Sequence, residues 1–236
     1  MQKTILIIPL FLILFAVACT SAASPVEPKE ADDERNISST EVNMNLIEAA
    51  ERGDVETVTS LLEQGADVHA ANALGVTPLI AAAYQNHVEV AKVLINAGAD
   101  VNVQDETQQS AYLITTSDGF LELLQMTLAA GADVHSLDSY NGTGLIRAAD
   151  RGHVEIIEEL LKTDMDVNHV NRLDWTALLE AIILGDGGLR HTEVVRQLVE
   201  AGADVNLADG NGVTLLEHAR QRGFEEIVTI LEDSQK

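Results

Sequence analysis

Seven histidines are the residues in this sequence best suited to chemistry at neutral pH. His87, His153 and His191 each open a similar run, "HVEVAKVLI", "HVEIIEELL" and "HTEVVRQLV". His69 and His135 share another context, "GADVH". Imidazoles brought together would make a metal site or a proton relay. Adjacent acids, Glu158 with Glu159 and Glu225 with Glu226, are the other candidates for acid–base work. "LGDGGLRH" (Leu184 to His191) has the glycine content of a phosphate cradle but lacks the lysine and the Ser or Thr that such loops use. The one cysteine, Cys19, ends an apolar N-terminal run and is not placed to be a nucleophile. No G-x-S-x-G, P-loop or H-E-x-x-H occurs. What these residues can do depends on the elements that carry them.

Those elements repeat. The Gly of "GAD" stands at Gly65, Gly98 and Gly131, 33 residues apart. The next step of 33 lands on Asp164 in "TDMDVN", a worn copy, and Gly202 follows after 38. A second marker, Thr77, Ser110, Thr143 and Thr176, keeps the same step and then jumps 38 to Thr214. Both markers skip by five within the same unit, so five residues were inserted there. Two markers in one register identify a repeat array. Within a unit, Thr77 can cap a helix that Pro78 begins, where a missing N–H costs nothing. Ala81 to Ala83 are small enough for a neighbouring helix to approach. "VEVAKVLI" has apolar residues at helical spacing, and Gly98 suits the left-handed stop behind it. One unit cannot cover its own apolar face, so neighbours must stack.

A period of 33 with T-P-L and G-A-D-V-N resembles the ankyrin repeat, most closely in "GVTPLIAAAYQNHVEVAKVLINAGADVN" (Gly75 to Asn102). The resemblance covers about 43–236. It implies an all-α solenoid of about six helix-turn-helix units with short β-hairpin-like turns, starting near 43, 72, 105, 138, 171 and 209. The first and last units read as polar caps. "GTGLIRAADRGHVEIIEELL" also looks like a bacterial ankyrin subgroup. In such a stack helices sit about 8–10 Å apart, so histidines in alternate units cannot share an ion that needs bonds of about 2 Å. Repeat register explains them, and solvated helix faces explain the paired acids. No enzyme activity, catalytic residue, cofactor or metal is expected. Unit three, with Gln108 where unit two has Gly75 and Thr127 where it has Leu94, is expected to be the least stable joint.

The resemblance also implies which positions meet a partner: the turn tips and the ends of the first helices. Units four and five place Tyr140, Leu173, Trp175, Ile183 and Leu184 there, with Arg151 and Arg172. Trp, Tyr and Arg dominate binding hot spots. The competing reading has Trp175 and Leu173 folding down as core. The inserted loop adds Asp186 and Arg190, which either clip it together or meet a partner; a passive loop is the plain alternative.

The N-terminal stretch divides differently. Residues 1–19 have a basic start, an apolar run from Ile5 to Ala18, and "AVAC", the shape of a signal peptide with a lipobox-like end. The run is short for a membrane span, which needs about 20 apolar residues. Lipid attachment at Cys19 is the leading expectation; cleavage after "SAA" and an uncleaved anchor are the others. Residues 20–42, rich in Ser, Pro and acids, read as a disordered tether. The formal net charge of −24 repels nucleic acid and favours a protein partner with a basic patch. The expectation is therefore an exported, monomeric, non-catalytic protein-binding module, lipid-anchored in the cell envelope or else soluble outside the cytoplasm. The rival is an inhibitor of an exported enzyme, or a peptide or small-molecule binder.

Overall fold

The computed structural model describes residues 38–235 as twelve α-helices in six pairs. The pairs are α1 (Ser39–Glu51) and α2 (Val55–Glu63), α3 (Pro78–Tyr84) and α4 (Val88–Asn96), α5 (Ala111–Asp118) and α6 (Leu121–Ala129). They continue with α7 (Gly144–Arg151) and α8 (Val154–Leu160), α9 (Ala177–Ile183) and α10 (Leu189–Glu200), α11 (Leu215–Arg222) and α12 (Glu225–Asp233). First helices stack in one row, α1 on α3 on α5 through to α11, and second helices in another. This is the solenoid the period implied. Among the described residues there is no strand; the hairpin-like turns reduce to one isolated bridge, Ala208 to Thr214.

Local chemistry sets each helix start. The side chains of Thr77, Ser110, Thr143, Thr176 and Thr214 accept the N–H three residues on, and Thr214 closes a capping box with Glu217. Gly98, at φ 94°, makes the left-handed stop behind α4. Two expected features differ. α1 begins at Ser39, ahead of the expected start near 43, because Ser38 caps it on the N–H of Glu41. The worn copy at Asp164 has no left-handed stop; α8 ends early, with the Thr163 hydroxyl on the Leu160 carbonyl at 2.6 Å.

Between units, five turns share one device. Oδ1 of Asn72, Asp105, Asp138, Asn171 and Asp209 each accepts two backbone N–H groups of its own turn. The turns also bind one another: the N–H of Glu106 donates to Leu74 and that of Arg172 to Tyr140. On the helical side, Nε2 of His87, His153 and His191 reaches the carbonyls of Glu51, Ser117 and Asp150, each in the preceding unit. The histidines are thus staples in register, and Phe120 and Phe224 stand in the same place in units three and six.

The core is a column of Ala, Leu, Ile and Val that divides at unit three. α5 gives Ala111 and Ile114 to one side and Tyr112 and Leu113 to the other. Tyr112 is fully buried, and its hydroxyl has no hydrogen-bond partner among the described residues. Its size matches Gly144 on α7, where an added Cβ would lie 2.6 Å from that hydroxyl. Thr115, Thr116 and Thr127 are buried too, their hydroxyls folded back on carbonyls three residues earlier. Gln108 holds φ 60° without being glycine. The unpartnered Tyr112 hydroxyl and the positive φ at Gln108 are the features that carry the expectation of a weaker unit three.

Candidate functional site

The turns and first helices of units four and five enclose an open hollow of about 380 Å³. Two Asx turns build its rim. Asp138 Oδ1 accepts from the N–H groups of Tyr140 and Gly142, both at 2.8 Å, and so projects Tyr140 outward, 62% exposed. Asn171 Oδ1 holds Leu173 and Trp175 in the same way, and Leu173 is 47% exposed. The opposite wall comes from the ends of the first helices: Ser117, Asp150, Arg151 and Leu184. Ile146, Arg147 and Glu180 line the space between.

The floor is ionic. Arg147 on α7 donates to Asp138 Oδ2 at 2.7 Å, tying helix to turn. In unit five the Asn171 amide donates to Glu180 Oε1 at 2.8 Å. Glu180 is only 5% exposed. Burial pushes its carboxyl up to about 7, the Asn171 bond opposes this, and the negative charges of Asp150 and Asp138 add to it. Burial also lowers the His153 imidazole, so this staple favours its neutral form.

The structure brings together four residues singled out from the sequence: Tyr140, Arg151, Leu173 and Leu184. The others lie elsewhere. Trp175 and Ile183 are half-buried against the core, so for Trp175 the core reading describes its packing. Arg172 turns to the Ser139 carbonyl at 2.8 Å. Asp186 and Arg190 do not pair with each other; Asp186 closes the inserted loop on itself, and Arg190 reaches out of it. Asp186 takes the Gly188 N–H and meets His191 at 2.9 Å, while Arg190 donates to the Gly152 carbonyl and pairs with Glu155. Other contacts shorten and hold the insertion: α10 starts at Leu189, and Arg222 donates to the carbonyls of Ile183 and Gly185. Cys19 and nearly all of the expected tether lie outside the described residues. Sequence reasoning missed Asp138, Arg147, Asn171 and Glu180. The signal was a nine-residue offset from the turn Asx of units four and five to a polar side chain on the following helix, seen again in Asp209 and His218 of unit six.

The family model described as "Ankyrin repeats (3 copies)" matches residues 31–105 and 111–209. The chain belongs to the ankyrin-repeat family. An ankyrin repeat domain (ABAYE2397) from Acinetobacter baumannii AYE is 46% identical, over 80% of this chain and 97% of its own, with a TM-score of 0.78. EF0377, an ankyrin repeat protein, is 35% identical over the same shares, with a TM-score of 0.77. The ankyrin repeat protein YahD of Escherichia coli (strain K12) is 53% identical over 53 residues, 22% of this chain. The match spans only 26% of that curated relative's length. Among the described residues of this ankyrin-repeat chain, no three His, Cys, Asp or Glu side chains are grouped to hold a metal ion.

The raised Glu180 carboxyl gives a stability prediction with a definite sign. The folded protein holds this proton more tightly than the unfolded chain, whose reference value is 4.5. The resulting stability is present below that value and is lost as pH rises through about 7. Between pH 5 and pH 8 wild type should lose on the order of 2 kcal/mol more than Glu180→Gln, whose amide keeps the acceptor for Asn171. Urea unfolding of both proteins across this range is the check; parallel pH profiles would contradict the burial argument.

Proposed function

We propose that this chain is a non-catalytic binding module that holds a segment of a partner protein in the hollow of units four and five. Ankyrin repeats are generally protein-interaction modules. The observation that carries the reading is the exposure of Tyr140, Leu173 and Leu184 around one recess whose backbone is fixed by Asx turns and stacked helices. Large side chains held in place lose little entropy on binding, and aromatic anchors of this kind dominate interfaces. The acidic surface steers a partner with a basic patch. The pinned insertion is poorly suited to plugging an enzyme, so that reading is set aside.

The proposal includes export. A basic start, an apolar run and Cys19 after small residues support lipid attachment in the cell envelope, with the repeat domain outside the cytoplasm.

Two experiments test this reading. Full-length protein carrying Tyr140→Ala and Leu173→Ala should bind a partner recovered from membrane extracts at least about tenfold more weakly, with an unchanged far-UV spectrum. Trp175→Ala is no substitute, because that ring packs on the core. Equal binding by the double variant would remove the hollow from the proposal. Cys19→Ala should abolish labelling of the protein by radioactive palmitate in bacterial cells; persistent labelling would refute lipidation at Cys19.

A further inference from the structure

Three units repeat a turn-to-helix contact with different partners. Unit four joins the acid Asp138 to the base Arg147 at 2.7 Å, and unit six joins Asp209 to His218 at 3.1 Å. Unit five, between them, reverses and neutralises the arrangement. Its turn carries the amide Asn171, and its helix carries the acid Glu180. Nothing basic completes this contact: Glu180 makes no ion pair among the described residues, and its one hydrogen bond goes to Oε1.

The charges lining the hollow give the same result. Its carboxylates are Asp138, Asp150 and Glu180, and its cations are Arg147 and Arg151. Arg147 is taken by Asp138, and Arg151 Nε lies 3.1 Å from Asp150. Two pairs close and Glu180 is left over. A carboxylate so deeply buried is costly to ionise without a counter-charge. A cation delivered from outside removes that cost, so binding and ionisation reinforce each other. Above the floor, Tyr140 offers an aromatic face and Leu173 an aliphatic edge, which suit the stem and charged head of a long basic side chain.

We infer that the hollow takes one arginine or lysine side chain from the partner segment, with the Glu180 carboxylate as its counter-charge and Tyr140 and Leu173 flanking its stem. This rests on the binding role proposed above and names the chemistry recognised there. α9 packs against α7, α10 and α11. Ionisable groups on these helices have partners elsewhere: on α7 Arg147 bonds Asp138 of the preceding turn and Arg151 bonds Asp150; on α10 His191 bonds the Asp150 carbonyl and Asp186, Arg190 pairs with Glu155, and Arg196 pairs with Glu193 and Glu226; on α11 His218 bonds Asp209, Glu217 bonds Thr214, Arg220 pairs with Glu232, and Arg222 bonds the Ile183 and Gly185 carbonyls. Of the carboxyls lining the hollow, Glu180 is the one left without a cation, so its ionisation should govern capture.

The test is selection of a random heptapeptide phage library on immobilised full-length protein in mild detergent at pH 8. Enriched peptides should share one Arg or Lys, and replacing it by Met should weaken binding at least about tenfold. For a selected synthetic peptide, Kd should fall about tenfold from pH 6 to pH 8 as a carboxyl near pH 7 ionises. Glu180→Gln should abolish both the pH dependence and the cost of the Met replacement, while Glu180→Asp should restore part of each. Circular dichroism of each variant confirms that it is folded. Enriched peptides with no shared cation, whose binding is nevertheless lost with Tyr140→Ala and Leu173→Ala, would overturn this inference and leave the binding role standing. No enrichment over an unrelated protein would overturn both.

Discussion

Every first helix in this molecule depends on cover from its neighbours. In α3 the side chains from Pro78 to Ala83 are all buried, yet the helix is only 7 residues long. A helix of that length is not stable alone in water. Its partner α4 buries only Val90, Ala91 and Leu94. The rest of the cover comes from α1 on one side and α5 on the other. Burial of aliphatic side chains, worth about 25 cal/mol per Å² removed from water, is therefore shared across unit boundaries. The polar contacts follow the same logic. The histidine staples and tip-to-tip backbone bonds cross from unit to unit, so local structure and stacking form together.

The proposed binding face is a product of this dependence. Stacking fixes the interval between turn tips, and the Asx bonds fix which side chains each tip displays. One position of the first helices differs in chemistry from unit to unit while the turn and stacking contacts stay the same. At the ninth position after the turn Asx the chain carries Ala81, Ile114, Arg147, Glu180 and His218 in succession. The N-terminal half of the row is apolar and the C-terminal half ionisable. Among the described residues, the acid that lines this recess without an ion pair is Glu180, beside the neutral Asn171. The proposed recognition is then a local departure from a common pattern, built on a frame that tolerates it.

Much of this frame was legible in the sequence because it repeats. Thr77 and Gly98 announce a cap and a stop, and recurrence at 33 residues turns two weak signals into a register. Units, helix pairs and the role of the histidines follow from that register. The candidate site was half legible. Tyr140, Leu173, Leu184 and Arg151 stand at tips and helix ends, the positions that the ankyrin resemblance singled out once spacing had set the register. Trp175 was singled out by its type; its place two residues beyond the tip packs the half-buried ring against the core, which spacing did not reveal. For Asp186 and Arg190, closeness in sequence offered a mutual pair as one of two readings, and that pair does not form. Arg190 instead reaches back to Glu155 in the preceding unit, a partner whose position only the stacked fold determines. Glu180 escaped notice as one acid among 38 acidic residues; what sets it apart is burial, which composition does not report.

The dependence of each unit on its neighbours is tested most directly by urea unfolding of a truncation series that removes unit six, then five, then four. The account expects stability to fall stepwise with each unit lost, and a lone unit such as residues 72–104 to lack helical structure. A lone unit that folds by itself, or a chain whose stability is unmoved by loss of its terminal units, would contradict it.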